Sequence, residues 1–330
     1  MLFLYCSNFK VSVKVYLENK LEINRKEADK MEEKENLYTP KQILQKYMKG
    51  CVTKSQSPIW RTLLLGVMAG AFISFGAAAS SVSMYGISNT GISRTIGGVV
   101  FPIGLMMIIL IGGELFTGNC LMITGAMDKR YSALLVVKNL ALVFVSNLAG
   151  ALLTAVLIVN SGQLNFSENA LGAYVIKTAV SKAGLPFGTA FISGILCNIL
   201  VCAAVFMAAG AKDAAGKVWS IFFPIFVFVI CGFEHCVANM YYLSAGIFAA
   251  GNGEYAAKAM ELYGYTEGQL ASLNWMSMFV NNLLPVTLGN IVGGMVFVGL
   301  PVFLLYREKK GNVEKGPHTI GNVIKKDKIS

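Results

Sequence analysis

Gly112-Gly113-Glu114-Leu115-Phe116-Thr117-Gly118-Asn119 lies inside an apolar run near residues 96–126. Its pattern returns as Gly232-Phe233-Glu234-His235-Cys236-Val237-Ala238-Asn239 inside a second run near 218–249. Each copy sets a glycine, a carboxylate and an amide in the order Gly-x-Glu-x4-Asn, deep in a segment long enough to cross a bilayer. Glycine relaxes the backbone, and polar side chains satisfy the N–H and C=O groups that a helix break frees. The pattern therefore predicts two interrupted membrane helices whose breaks line protein or a cavity. A carboxylate at that depth costs about 3 kcal/mol on insertion scales. Glu114 and Glu234 thus require partners, either donors of their own broken helices or lysines, with a proton-relay role as the other reading.

Outward from these two copies, apolar runs of spanning length fall near 59–83, 132–159, 187–210 and 277–306, giving six in all. Charge gathers between them, at Asp128-Lys129-Arg130 and at Lys212-Asp213 with Lys217. Six spans place both basic tails and those two loops on one side, which the positive-inside rule makes the cytoplasm. Trp60, Trp219 and Trp275 each open a run, where interfacial aromatic residues are expected. Lys138 can snorkel back to the cytoplasmic face. Two further matches join the first. Ala71-Phe72-Ile73-Ser74 recurs as Ala190-Phe191-Ile192-Ser193, and Asn147-x-x-Gly150 recurs as Asn290-x-x-Gly293. Three matches in the same order argue for duplication. Because three spans is an odd number, the second copy enters from the opposite side, and such inverted repeats carry a pathway at their interface near mid-membrane. The expected class is an all-α polytopic membrane protein with a 3+3 inverted repeat. Residues 1–58 form a cytoplasmic N-terminal region, 59–306 the membrane domain, and 307–330 a cytoplasmic basic tail.

Composition agrees. Of the 330 residues 55% are hydrophobic and 14% charged, and mean hydropathy is +0.59, too apolar for a soluble surface of this size. The net charge of +10 concentrates in the tails, which suits a membrane surface. No aromatic-plus-basic motif supports nucleic-acid binding. The seven cysteines include no C-x-x-C and read as buried small hydrophobes. The apolar start Met1–Tyr5 is too short for a signal peptide, and Met31 opens a more typical start, so residues 1–30 read as an upstream extension. A short helix is expected after Thr39-Pro40. His318 lies in the tail. His235 is the one histidine in a span, set at the break of a duplicated helix, where a neutral or charged imidazole can hold an anion. No second histidine or spaced carboxylate set suggests a metal.

At these residues the chain resembles the formate/nitrite transporter family. The resemblance is carried by Gly-Glu-Leu-Phe-Thr-Gly-Asn at 113–119, Gly-Phe-Glu-His at 232–235 with Ala238-Asn239-Met240, and Asn-Leu-Leu-Pro-Val-Thr-Leu-Gly-Asn at 282–290. It implies a homopentamer of aquaporin-like protomers, each with its own pore, in the inner (cytoplasmic) membrane. By the same resemblance His235 is the central pore histidine, and Leu115, Phe116 and Thr117 form the narrowing, gating loop of span two. Leu105 and Phe228 are constriction residues, with Phe101 and Val201 nearby. Lys54 joins Glu114 and Asn119 at one vestibule, and Lys182 joins Glu234 and Asn239 at the other. Asn198 and Asn290 are further polar groups near the pore. The N-terminal region is longer than the family's usual one.

The expected substrate is a small monovalent anion. Formate leads, moved with a proton; nitrite, hydrosulfide and short monocarboxylates are the alternatives within the family. A membrane enzyme using Glu234 and His235 as acid and base is disfavoured, because no nucleophile motif, metal set or cofactor fingerprint accompanies them.

Overall fold

The computed structural model describes Lys20 and residues 37–307. The Met31 start, Cys6, His318, the tail beyond Arg307 and all of the 1–30 extension but Lys20 lie outside the described residues. Thr39 opens α1 (Pro40–Ser55) with a capping box to Gln42, and the proline supplies a first turn that needs no N–H. This helix buries Ile43, Leu44, Met48 and Cys51 and leaves Lys41, Lys46 and Lys49 exposed, while Lys54 turns inward.

Among the described residues six helices are long and apolar enough to cross a membrane. Span one is α2 (Ile59–Met84). Span two is split into α3 (Thr90–Val100) and α4 (Ile103–Ile111), because Pro102 has no N–H to continue the ladder across Phe101. After Gly112 the chain turns into α5 (Phe116–Asn119), a 3₁₀ turn and α6 (Ile123–Met127). Span three is α7 (Ala133–Asn160). The short α8 (Ala170–Ala183) leads to span four, α9 (Phe187–Gly210). Span five is α10 (Ala214–Cys231), and after its break comes α11 (Cys236–Ala250). The segment between the runs at 218–249 and 277–306 holds α12 (Gly253–Tyr263) and α13 (Glu267–Ser272). Span six, Ser277–Tyr306, joins α14 (Leu284–Val292) and α15 (Leu300–Tyr306) to two π-helical segments, Ser277–Leu283 and Gly293–Gly299.

The apolar runs at 96–126 and 218–249 are therefore each interrupted by a break at the Gly-x-Glu-x4-Asn pattern, as that pattern predicts. Within each half the first and third spans pack closely, α2 on α7 and α9 on α14. Backbones touch there: a Cβ on Gly150 would overlap the Val67 carbonyl, and one on Gly293 the Ile195 carbonyl. Such approach lets dispersion hold helices together where lipid offers no hydrophobic drive.

These contacts also correct the register of the repeat. Val67 and Ile195 are 128 residues apart, as are the helix starts Ile59 and Phe187, each preceded by a proline. The tetrapeptides 71–74 and 190–193, 119 apart, do not occupy matching positions. The match at Glu114 and Glu234 and that at Asn147 and Asn290 stand. The six spans run alternately through the bilayer, so α1 and α8 cap opposite faces.

Candidate functional site

Both Gly-x-Glu-x4-Asn elements close into the same polar cluster. On the α1 face, Lys54 Nζ donates to Glu114 Oε2 at 3.1 Å and to Asn119 Oδ1 at 2.8 Å. Asn119 Nδ2 donates to Glu114 Oε2 at 2.6 Å and to Asn139 Oδ1 at 2.8 Å. On the α8 face, Lys182 Nζ donates to Glu234 Oε1 at 2.8 Å. Asn239 Nδ2 donates to Glu234 Oε2 at 2.6 Å and to Asn282 Oδ1 at 2.7 Å. Glu114 and Glu234 are buried, so each charge depends on this lysine and amide for its cost to be met. The spacing explains the pairing: five residues from glutamate to asparagine wrap the break so that the amide meets the carboxylate, and a lysine from a neighbouring element reaches that carboxylate in both halves.

Two asparagines from the third and sixth spans hold the breaks open. Asn147 Oδ1 accepts the Phe116 N–H at 3.0 Å, while its Nδ2 donates to the carbonyls of Gly66 and Glu114 at 2.8 and 2.9 Å. Asn290 repeats this on Cys236 N–H, Gly194 carbonyl and Glu234 carbonyl at 2.9, 2.7 and 3.0 Å. Each amide thus replaces the ladder partners that the interruption removes, as a buried backbone requires. Gly112 (φ 112°) and Gly232 (φ 69°) make the turns into the breaks, at angles that side-chain-bearing residues rarely adopt. Asn198 Nδ2 ties the two breaks together, donating to the Asn290 carbonyl at 2.6 Å and the Thr117 carbonyl at 3.3 Å.

Between the breaks sits His235, buried at 3% exposure. Its Nδ1 accepts the Ala238 N–H at 3.1 Å, so the side chain caps α11. Nδ1 is then unprotonated and a neutral ring carries its hydrogen on Nε2. That Nε2–H donates to Thr117 Oγ1 at 2.9 Å. A chamber of about 10 Å³, room for about one water, is lined by Ile73, Phe101, Leu105, Leu115, Val201, Ile225, Phe228 and His235. His235 is its single polar side chain. A cavity of about 650 Å³ on the α8 face shares Phe101, Phe228 and His235 with it and holds Lys182, Glu234 and Asn239 in its wall. Phe101 and Phe228 meet edge to face, ring centroids 5.3 Å apart, at the boundary between the two.

The structure thus brings Phe101, Leu105, Leu115, Val201 and Phe228 together around His235, and gathers the two lysine clusters. It does not bring Phe116 to the chamber; that ring packs edge to face on Phe144 at 5.3 Å, inside the protein. Asn198 and Asn290 line neither cavity and bind backbone instead. Sequence reasoning missed Asn139 and Asn282, whose signal was the repeated spacing Asn139-x7-Asn147 and Asn282-x7-Asn290. It also missed Tyr47, whose hydroxyl donates to the Gly118 carbonyl at 3.0 Å and pins α1 to the span-two break. Burial pushes the Cys51 thiol up to about 11 although Lys54 pulls the other way, which fits a packing role. Among the described residues no group of three His, Cys, Asp or Glu could hold a metal.

Six spans, two symmetry-related breaks and a polar point between apolar walls define a class, that of multi-pass membrane channels and transporters. The profile of the family described as "Formate/nitrite transporter" matches residues 41–304. A "Probable formate transporter" of Methanothermobacter thermautotrophicus is 36% identical over 77% of this chain and 91% of its own length. "Formate channel FocA" of Escherichia coli (strain K12) is 32% identical over 74% of this chain and 86% of its own. A solved "Pentameric formate channel with formate bound" superposes with a TM-score of 0.67 at 32% identity, covering 76% of this chain and 98% of that one. The chain belongs to the formate/nitrite transporter family. It is an anion channel or transporter and not an enzyme.

Proposed function

We propose that this protein conducts formate across a cytoplasmic membrane, with both termini on the cytoplasmic side, as a homopentamer with one pore in each protomer. The single observation that carries the reading is His235, the one polar group in a chamber otherwise walled by aliphatic and aromatic side chains. Lys54 and Lys182, paired with Glu114 and Glu234, hold the mouths at either end. An ion entering the chamber loses its water there, and that cost falls on the charged form. Desolvation raises a carboxylate's pKa, so formate moves through as, or close to, formic acid. His235 offers Nε2–H to the passing oxygen in place of Thr117. Its capped Nδ1 keeps the ring neutral, so the proton comes from water in the mouth and the imidazole stabilises the acid. Flux therefore rises as pH falls. The solved pentameric channel with formate bound and the relatives described as formate channels support this substrate and assembly.

The test is uptake into proteoliposomes of purified protein. Formate, nitrite and hydrosulfide are compared at two pH values, with His235→Phe alongside. Formate is expected to lead, faster at the lower pH, with its flux cut at both pH values in the variant. Faster nitrite or hydrosulfide would reassign the substrate, and an unchanged formate flux in His235→Phe would remove the histidine from the mechanism.

A further inference from the structure

The cavity on the α8 face carries more positive charge than its ion pair explains. Its wall presents Arg94, Lys177 and Lys182 against one carboxylate, Glu234. Lys182 neutralises that carboxylate at 2.8 Å. Among the described residues no carboxylate pairs with Arg94 or Lys177. Two uncompensated cations therefore face the cavity.

Both are held by groups that position a charge without cancelling it. Arg94 Nη1 donates to the Ile230 carbonyl at 3.4 Å, near the end of α10, and its guanidinium lies where a Cβ on residue 232 would fall. The Lys177 ammonium rests 4.7 Å from the ring centre of Tyr263 and 5.8 Å from that of Tyr174, an aromatic shelf that attracts a cation but adds no negative charge. The other half has no equivalent of Arg94. By the 120-residue spacing of the two glutamates its counterpart is Ala214, and a Cβ on Gly112 would meet open space where one on Gly232 meets Arg94.

The size of the cavity decides how these charges act. At about 650 Å³ it is many times the roughly 30 Å³ that one water occupies in the liquid. A small anion is therefore not gripped by direct contacts on all sides. Two fixed cations on low-dielectric walls instead raise its local concentration beside the Phe101–Phe228 boundary. We propose that Arg94 and Lys177 form an anion-capture site that loads the pore from the α8 face, making the two mouths unequal in the concentration at which they saturate. The site takes small monovalent anions for passage and holds divalent oxyanions more strongly, since their charge couples twice to the same field. It alters the half-saturating concentration and not the final gradient, because a fixed charge supplies no free energy to a passive path. The inference rests on the reading of this cavity as a pore mouth.

Proteoliposomes with wild type, Arg94→Gln, Lys177→Gln and the double variant test it at about 10 mM and about 1 M ionic strength, where the Debye length is about 30 Å and 3 Å. At the lower value each single change is expected to raise the half-saturating concentration about threefold, and the double change about tenfold. At the higher value the differences collapse to within about 1.5-fold, and block by added sulfate weakens in the same order. Lys258→Gln, on α12 and paired with Glu261 outside this cavity, leaves half-saturation unchanged. An unaltered half-saturation in Lys177→Gln at low salt overturns the proposal. So does a shift that persists at high salt, which would mark Arg94 as a structural clamp on the break. The ratios are read on formate, nitrite and hydrosulfide in turn. Absent formate flux with intact ratios on another anion strikes only the substrate assignment, whereas intact formate flux with flat ratios strikes only the capture site.

Discussion

The break in span two and the break in span five are assembled from the same parts, and the places where they differ are the places where chemistry enters. Asn147 and Asn290 make the same three bonds to matching backbone groups. Glu114 with Asn119 and Glu234 with Asn239 share one geometry, down to the 2.6 Å amide-to-carboxylate bond. Against that background, Leu115 stands where the other half has His235, and Thr117 where it has Val237. The polar contact of the chamber runs between the two departures, from His235 Nε2–H to Thr117 Oγ1. A second difference is in the lysines. Lys54 reaches both the carboxylate and the amide oxygen of its cluster, whereas Lys182 reaches the carboxylate alone and Asn239 Oδ1 is left buried without a partner. Duplication supplied the scaffold of two backbone breaks, and divergence at two matched positions, Leu115 with His235 and Thr117 with Val237, supplied the site between them.

The largest effects should come where the halves agree. Asn147→Leu or Asn290→Leu strands three buried backbone groups and is expected to destabilise by about 4 kcal/mol. Thermal unfolding in detergent reads this, and a much smaller cost in one half would break the equivalence of the two clamps. Next come the lysines, where the halves differ in exposure. Lys182→Met leaves Glu234 buried beneath a 17%-exposed partner site and should cost about 3 kcal/mol. Lys54→Met should cost about half that, because a 30%-exposed lysine is already screened by water. Equal losses would contradict this ordering. Gly112→Ala, at a backbone angle nearly exclusive to glycine, should cost about 2 kcal/mol. Gly232→Ala, in the left-handed helical region, should cost about 1 kcal/mol beyond any displacement of Arg94. The smallest stability change sharpens the comparison most. His235→Asn keeps an acceptor that caps α11 and should cost less than about 1 kcal/mol, yet it removes the Nε2–H. Formate uptake should then fall while the melting point barely moves.

Much of this was legible in the residues because a membrane leaves few options for a carboxylate. Glu114 and Glu234 at mid-run demanded a break and a partner, either a donor of the broken helix or a lysine, and the structure supplies both kinds. What hydropathy could not show is anything that depends on which backbone groups lack partners. The split at Pro102, the helices α8, α12 and α13 and the two π-helical segments of span six all sit inside runs or loops whose average polarity is ordinary. Asn139 and Asn282 were visible as a repeated spacing but not as ligands of an amide, since that requires knowing that span three faces the break. The tetrapeptide at 71–74 misled because so short a string of residues common in membrane helices recurs by chance, whereas the prolines at 58 and 186 marked the register by their effect on the backbone. Phe116 belongs to the packed interior for a related reason: Leu115 before it lines the chamber, but the first turn of α5 rotates the Phe116 ring toward Phe144.

The bond from Tyr47 to the Gly118 carbonyl and those from Lys54 to Glu114 and Asn119 all originate on α1. A recombinant chain trimmed to begin at residue 59 would keep every transmembrane helix and still be missing the counter-charge for one buried carboxylate. Proteolytic nicking between Ser55 and Ile59 would be equally telling, since it would sever the covalent tether while leaving α1 free to stay docked or depart. The rate at which a clipped sample loses its flux would measure how firmly that first amphipathic helix is bound.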